Sequence, residues 1–324
     1  MMSEISGQKM PPCKYSVVVP IYNEAECVGE LHRQLVSVFG RLKKPYELIF
    51  VNDGSRDATL KIMRSLKPLT IVNFSRNFGQ TASLDAGIKQ SRGEIIITLD
   101  GDLQNPPSEI PKLLDKLENS HADAVAGWRR HRHDPFLKKL NSRMANRLRW
   151  MFIRDNVHDS GCTLKAFRRE ALEHLELYGE LHRFIPALLT INGYRVAEVE
   201  VRHEERKKGK TKYNWKRGFK GILDMLAVWF WHKYSARPLH LFGGLGIISM
   251  LAGFICGGFA LYLKIFEGKD LSDTALTLFA GLLCLFGVLF IVSGLLADMI
   301  VRNRYAILGH PPYRIREVIR NENS

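Results

Sequence analysis

Residues 94–107 read EIIITLDGDLQNPP and give the first indication of the architecture. The apolar run Glu94–Leu99 ends directly at two aspartates, Asp100 and Asp102, which flank Gly101. A short, continuous apolar run bounded by turn residues is typical of a strand that is buried on both faces of a sheet. Strands of this kind occur in parallel sheets whose two faces are covered by helices.

The same alternation of short apolar runs and helical periodicity continues on both sides of this stretch. Repeated strand–helix units predict an α/β fold with a mostly parallel sheet. The predicted strands are Tyr15–Pro20, Glu47–Val51, Leu69–Asn73, Glu94–Leu99 and Asp123–Gly127. The predicted helices are Ala25–Leu42, Asp57–Leu66, Thr81–Gln90 and Ser108–Asn119, the last capped by Ser108.

Polar clusters follow four of the predicted strands, at residues 22–24, 52–55, 75–77 and 100–102. In open α/β sheets, ligands bind beyond the carboxyl ends of the strands, where these clusters would meet. The sequence contains neither GxGxxG after the first strand nor GxxxxGK[ST]. It therefore does not predict a dinucleotide or P-loop site, and a nucleotide would be bound in another way.

The Asp100–Asp102 turn predicts a site for Mg²⁺ or Mn²⁺. Oxygen ligands at a tight turn suit a hard divalent cation that also holds a diphosphate. We expect Asp102 to be the direct ligand, with Asp100 and Gln104 in support. Asp53, at another strand exit, either binds the nucleotide or serves as a turn acid before the next helix.

Composition narrows the class of protein. Lys and Arg number 47 against 33 Asp and Glu, which gives a net charge of +14, and 46% of residues are hydrophobic. That fraction is too high for a disordered chain. Five cysteines without a CxxC pair argue against a disulfide framework and fit a reducing compartment. With no nucleic-acid motif present, anionic lipid headgroups are the expected partner of the basic surface.

Two uncharged stretches, Leu241–Leu263 and Thr274–Ala297, are long enough to cross a bilayer. The alternative, a pair of buried helices in a soluble protein, would normally show a polar stripe. Gly253 and Gly257 form a GxxxG spacing that would pack helices together, either within the protein or between copies.

Basic residues flank the two spans on one side, with 11 Lys and Arg against three acids in residues 202–237. The positive-inside rule then predicts a multi-pass protein of the inner (plasma) membrane, with the strand–helix domain and both termini in the cytoplasm. Trp215–Tyr234 has the pattern of an interfacial amphipathic helix. The predicted division is a strand–helix domain (1–205), a basic stretch with interfacial helices (206–238), two transmembrane helices (239–301) and a basic tail (302–324).

Six motifs then occur in order: VVVPIYNEAE, VNDGSRD, SRNFGQTASLDAG, ITLDGDLQNPP, DSGCTLKAFRRE and RKKGKTKY. Over about residues 15–305 the chain resembles the family 2 glycosyltransferases of the polyprenyl-phosphate type, which include dolichyl-phosphate mannose synthase. The resemblance implies a GT-A fold, a divalent cation, and a hexosyltransferase that inverts the anomeric carbon. It also implies that residues 1–205 form the catalytic domain and that residues 206–238 include the acceptor loop. It would move sugar from a nucleotide diphosphate to undecaprenyl or dolichyl phosphate, for cell-surface glycan or lipid modification.

The resemblance also implies roles for individual residues. Catalytic roles fall to Asp102 and Asp159, and Asp159 acts either as a base or as an orienting residue. The acceptor motif departs from the family in one place, because Thr211 replaces a serine but keeps the hydroxyl. Arg129 either binds phosphate or belongs to a lipid-facing surface. The implied donor-site residues are Pro20, Tyr22, Glu24, Asp53 and Asp100, and the implied acceptor-phosphate residues are Arg206, Lys212 and Tyr213.

Several alternatives stay open at this point. A UDP-sugar donor is favoured, with GDP-mannose as the alternative. A processive polysaccharide synthase shares the fold, and Asn146–Trp150 only imitates its QxxRW motif. A non-catalytic membrane anchor would have no need for the acids at the strand ends. Relatives suggest a homo-oligomer, possibly a tetramer.

Overall fold

A computed structural model describes residues 13–130, 157–173, 175, 177, 179–204, 230, 234, 238–272 and 275–308. The chain divides into two compact units, residues 1–228 and residues 229–324. The predicted acceptor motif (206–213) and nearly all of the predicted interfacial helix (215–234) lie outside the described residues. The predicted domain boundaries therefore stay predictions.

The first unit alternates strands and helices, as the sequence pattern predicts. The strands are β1 (Tyr15–Ile21), β2 (Tyr46–Asn52), β3 (Thr70–Asn73), β4 (Ile95–Thr98), β5 (Ala124–Trp128), β6 (Lys165–Arg168) and β7 (Val196–Glu200). The helices are α1 (Val28–Leu42), α2 (Thr59–Met63), α3 (Gln80–Gln90), α4 (Ile110–Asn119), α5 (Arg169–Leu172) and α6 (Ile185–Ile191). Short 3₁₀ helices precede α4 and α6, at Pro107–Glu109 and Leu181–Phe184.

The strands form one sheet in the order β3-β2-β1-β4-β6-β5-β7. Neighbouring strands are parallel except around β6, which runs antiparallel to both β4 and β5. The predicted α/β fold with a mostly parallel sheet is confirmed. Lys165, the first residue of β6, pairs with Ala126 of β5 and Thr98 of β4. The amino end of β6 therefore lies at the edge where β4 and β5 end.

Helices cover both faces of the sheet. Because successive side chains point to opposite sides of a strand, one strand contributes residues to two separate cores. Val17 and Val19 of β1 belong to a core that includes residues of α1 and α4, such as Leu35 and Leu113. Val18 belongs to a second core with residues of α3, α5 and α6. This two-sided burial explains why the strands read as continuous apolar runs.

Helix α1 begins at Val28, three residues later than predicted, because the preceding turn is bound to another segment. The Glu24 amide donates to Thr59 Oγ1 at 3.0 Å, and the Ala25 amide donates to Asp57 Oδ2 at 3.4 Å. Asp57 also accepts a hydrogen bond from the Thr59 amide at 3.0 Å, so α2 begins only at Thr59. The turn after β1 is thereby joined by hydrogen bonds to the start of α2.

The predicted capping role of Ser108 is wrong. Ser108 lies inside the 3₁₀ helix Pro107–Glu109, and neither this helix nor α4 has a side-chain cap hydrogen bond. An N-cap residue has a non-helical backbone, from which its side chain reaches the first free amides. Because the backbone already turns at Pro107, Ser108 does not occupy that position.

The second unit contains two long helices, α7 (Pro238–Glu267) and α8 (Ala275–Leu308), over the two predicted spans. They are long and apolar enough to cross a membrane, over Pro238–Glu267 and Ala275–Val301. Large apolar side chains on them face outward, with Ile255 71% and Phe266 72% exposed. The core helices of a soluble protein would bury such residues, so we interpret both helices as candidate membrane spans.

Glycines let α7 and α8 approach closely. A Cβ atom placed on Gly253 would lie 2.7 Å from Cys284 Sγ, and one on Gly246 would lie 2.7 Å from the Gly287 carbonyl oxygen. Nearby, Ser249 Oγ donates to the Leu283 carbonyl at 2.8 Å. The close approach at Gly253 is therefore made within the chain, between consecutive helices, which is one of the two arrangements that its GxxxG spacing allows.

Candidate active site

The acidic turn directly follows β4. A Cβ atom on Gly101 would lie 2.5 Å from Ile21 Cδ1, so no larger residue fits there without displacing that side chain. The Gln104 amide donates to Asp102 Oδ1 at 3.1 Å and holds the turn closed. Two carboxylates, Asp100 and Asp102, are thus presented from one tight turn at the carboxyl edge of the sheet.

Asp100 sits in an environment that opposes its ionisation. Burial raises the pKa of its carboxyl group to about 6, and the negative charge of Asp102 adds to this effect. The Arg129 and Lys165 cations partly offset the shift. The side-chain amide nitrogen of Gln80 donates to Asp100 Oδ1 at 2.6 Å, so Gln80 supports the acidic turn directly.

These residues fit a hard divalent cation. Mg²⁺ is usually bound through one or two carboxylates together with substrate phosphates and water. Within the described part of the chain, no group of three or more His, Cys, Asp and Glu side chains converges as a metal site. Asp100 and Asp102, with the side-chain amide oxygen of Gln104, would therefore supply part of a coordination shell that a diphosphate completes.

A second charged group lies at the same edge of the sheet. Arg129 follows β5, and its guanidinium donates to both carboxylate oxygens of Asp159, at 2.7 and 3.0 Å. The Arg129 amide also donates to Asp159 Oδ2 at 3.3 Å. Both side chains are less than a tenth exposed. The structure thus brings together two residues that the sequence had assigned to separate roles.

Lys165 is a buried cation that the sequence reasoning missed. It opens β6 with 3% exposure, and its ammonium donates to the carbonyls of Ser160 and His182 at 3.3 and 3.4 Å. Burial lowers its pKa to about 8, although Asp159 and Asp100 act in the opposite direction. The sequence did contain a signal for this residue, because a lysine in the otherwise apolar LKAF segment must find polar partners when the strand is buried.

Cys162 belongs to the packing beneath the site. Burial raises the pKa of its thiol to about 11, which leaves it protonated at neutral pH. A Cβ atom on Gly127 would lie 3.0 Å from its sulfur, so the thiol fills the space beside β5. A reactive cysteine needs a lowered pKa and solvent access. The thiol therefore acts as a small core group.

Asp53 holds the loop before α3. Its carboxylate accepts hydrogen bonds from the Phe78 and Gly79 amides at 2.7 and 3.0 Å, and from the Asn77 side chain at 2.9 Å. The positive end of α3 adjoins these amides, which favours a carboxylate there. Asp53 thus serves as a turn acid for the loop before α3, rather than for α2, the next helix along the chain. A direct contact with the nucleotide stays a prediction.

The other predicted donor residues lie at the end of β1 and in the turn after it. Asn23 has a left-handed backbone (φ 54°), its amide donates to Ser55 Oγ at 2.9 Å, and its side chain accepts from the Arg56 amide at 2.8 Å. This ties the predicted nucleoside residues to the cluster after β2. Arg206, Lys212 and Tyr213 lie outside the described residues, and their acceptor role stays a prediction. The predicted nucleoside residues are Pro20, Tyr22 and Glu24.

A mostly parallel sheet with an acidic turn after β4 and the reversed strand β6 beside it is the arrangement of a GT-A-like fold. Glucosyl-3-phosphoglycerate synthase from Mycobacterium tuberculosis, solved with Mn²⁺ and UDP, is similar at a TM-score of 0.53 and 17% identity, over 68% of this chain and 80% of that one. Mannosyl-3-phosphoglycerate synthase from Rubrobacter xylanophilus is similar at a TM-score of 0.54 and 15% identity, over 67% of this chain and 74% of that one. At these identities the likeness shows the fold alone.

Sequence comparison gives the family. Residues 16–176 match glycosyl transferase family 2. The dodecaprenyl-phosphate galacturonate synthase of Rhizobium johnstonii is 40% identical over 95% of this chain and 94% of its own length. The undecaprenyl-phosphate 4-deoxy-4-formamido-L-arabinose transferase of Proteus mirabilis is 33% identical over 94% of both. The chain belongs to glycosyltransferase family 2, among its polyprenyl-phosphate enzymes.

Proposed function

We propose that the protein transfers a hexosyl group from a nucleotide-diphospho-sugar, a UDP-sugar, to a polyprenyl monophosphate at the cytoplasmic face of the membrane. The observation that carries the proposal is the presence of two charged groups at one edge of the sheet. The Asp100–Asp102 turn suits the donor diphosphate and its cation. The Arg129–Asp159 pair offers a guanidinium to a second phosphate. The names of the two relatives support a polyprenyl-phosphate acceptor.

In the proposed reaction, an acceptor phosphate oxygen forms a bond to the anomeric carbon as the bond to the UDP oxygen breaks. Attack from the opposite side inverts that carbon, and UDP leaves with the bonding electron pair. A bound Mg²⁺ or Mn²⁺ supplies positive charge that stabilises the leaving diphosphate. A phosphate monoester has its second pKa near 6, so the acceptor is already largely dianionic at neutral pH.

An acceptor of this kind needs orientation more than it needs a strong base. We therefore assign Asp159 to holding Arg129, and Arg129 to holding the acceptor phosphate beside the donor. Arg206, Lys212 and Tyr213 are proposed to complete the phosphate site. The two candidate spans and the basic residues beside them support a multi-pass arrangement with both termini in the cytoplasm. We also propose that the protein forms a homo-oligomer.

The function is tested by turnover of the purified protein with undecaprenyl phosphate and a panel of UDP- and GDP-sugars. The panel includes UDP-galacturonate, because the 40% identical relative is named for galacturonate transfer. We expect one UDP-sugar to be consumed with equal release of UDP and formation of a lipid-phosphate sugar. Transfer from GDP-mannose alone would contradict the proposed donor. Absence of transfer from every donor with either cation would contradict the function.

Cation binding should weaken in acid, because it requires the ionised form of Asp100. Since the pKa of Asp100 is raised to about 6, protons compete with the metal below that pH. We expect the Kd for Mn²⁺ to be nearly constant from pH 8 to 7 and to rise about tenfold per unit below pH 6. Titration calorimetry with UDP present measures this at each pH.

Asp100→Asn is the matched control for this prediction, because it keeps the shape of the side chain without its proton equilibrium. The variant should bind Mn²⁺ more weakly throughout and lose most of the change between pH 7 and pH 5. A wild-type Kd that stays flat across this range, with the protein folded, would remove Asp100 from the metal site.

A further inference from the structure

Glu198, in the middle of β7, contacts the loop that carries Asp159. Its Oε1 accepts hydrogen bonds from the amides of His158 and Asp159, at 2.8 and 3.2 Å. Its Oε2 lies 2.7 Å from His158 Nδ1. The Glu198 side chain is only 11% exposed, whereas His158 is 66% exposed. One carboxylate of a strand therefore holds two consecutive residues of a loop.

The contact matters because Asp159 lies in no helix or strand. Its orientation depends on hydrogen bonds at its own backbone and at its carboxylate. Arg129 holds the carboxylate from the end of β5, and Glu198 holds the backbone from β7. These two strands are directly paired, with Ala126 opposite Glu198. Two adjacent rigid elements thus fix Asp159 from two sides.

An aromatic contact restricts the same loop further. The rings of Trp128 and His158 are stacked, with centroids 4.7 Å apart and planes at 21°. Trp128 ends β5, so the imidazole is held between a ring on β5 and the carboxylate on β7. The His158–Asp159 backbone is consequently anchored on both neighbouring strands, immediately beside the ion pair with Arg129.

We infer that Glu198 is a positioning residue for glycosyl transfer. By accepting the His158 and Asp159 amides, it keeps the Asp159 carboxylate where both of its oxygens meet the Arg129 guanidinium. The inference rests on the proposed function, in which Arg129 holds the acceptor phosphate. What Glu198 supplies is a hydrogen-bond acceptor at a fixed distance from β7, and its negative charge is secondary.

If the hydrogen-bond acceptor matters more than the charge, the neutral Glu198→Gln variant should be more active than the charged but shorter Glu198→Asp variant. Glu198→Gln keeps the side-chain length and an oxygen that accepts both amides, but loses the charge. Glu198→Asp keeps the charge, but the side chain is one methylene too short to reach both amides. A misplacement of about 1 Å near a reacting centre can cost about 100-fold in rate. We expect kcat to follow the order wild type, Gln, Asp, Ala.

The experiment measures kcat and KM with undecaprenyl phosphate, UDP affinity with Mn²⁺, and Tm for the three variants. We expect Glu198→Gln to stay within about fivefold of wild-type kcat, and Glu198→Asp and Glu198→Ala to fall about 10- to 100-fold. UDP affinity should stay within about twofold in each variant, because the acidic turn is untouched. If Glu198→Ala does not fold, the comparison of Gln with Asp decides.

Glu200→Ala is the control, because Glu200 lies two residues further along β7 and makes an exposed ion pair with Arg130 at 3.0 Å. It should keep wild-type kcat. The inference is overturned if Glu198→Ala keeps wild-type kcat, if Asp is as active as Gln, or if UDP affinity falls in parallel with kcat. Failure of the wild-type protein to transfer any sugar would instead contradict the proposed function.

Discussion

Asp102→Asn is expected to lower turnover about a thousandfold, which corresponds to about 4 kcal/mol in the activation free energy. The change removes one carboxylate charge from the proposed cation site. It keeps the shape of the side chain, and the asparagine Oδ1 still accepts the Gln104 amide that closes the turn at 3.1 Å in the wild type. The fold should therefore survive. Turnover with Mn²⁺ and UDP-sugar, together with Tm, measures both effects.

A matched control for this variant is Asp85→Asn in α3. Asp85 makes an i,i+4 ion pair with Lys89 at 2.6 Å, and Lys89 is 70% exposed, so its loss should cost little. We expect the control to keep wild-type turnover and Mn²⁺ affinity. If Asp102→Asn also kept wild-type turnover, the assignment of the acidic turn to a cation would be wrong.

The second large effect concerns Arg129 and Asp159, which should behave as one unit. Breaking a buried ion pair by removing one partner leaves the other charge uncompensated, at a cost of up to about 3–5 kcal/mol in stability. We expect Asp159→Asn and Arg129→Gln each to lower Tm and to reduce kcat about 100-fold or more. Chemical denaturation and turnover of both variants measure these losses.

The double variant Asp159→Asn/Arg129→Gln separates a coupled pair from two independent residues. Because neither buried charge is left alone, its stability should recover in part relative to each single variant. Its loss of kcat should be close to that of one single variant, rather than the product of both. Fully additive losses, in stability and in kcat, would show that the pair does not act as a unit.

The fold followed from local patterns to a large extent. The strands β1 to β5 appear within one residue of the predicted ends, and all but β3 are largely buried, so their sequences are apolar on both faces. The strand β6 was missed, although it is equally buried. Its four residues include Lys165 and Arg168, and a short charged segment carries no periodic signal. Its antiparallel direction depends on a tertiary path that local patterns do not encode.

Several residues of the candidate site were singled out from the sequence, but Lys165 and Glu198 were missed, and the contacts among all of these residues could not be predicted. The acidic turn was evident because a short motif directly followed an apolar strand. The pairing of Arg129 with Asp159 spans 30 positions in sequence. Glu198 is 39 positions from the amide of Asp159. Such contacts arise only when β5, β6 and β7 come together in the sheet, so they follow from the fold rather than from any motif.

The glycine contact between α7 and α8 has a consequence for quaternary structure. Gly253 faces Cys284 and the Ala280 carbonyl, so this glycine already contacts the chain's own second span and is not available to a neighbouring copy. Neighbouring copies would meet bulky side chains such as Ile255 and Leu278, 71% exposed on each helix. A contact between copies would then involve side chains that also contact lipid, so lipid would compete for the same surfaces.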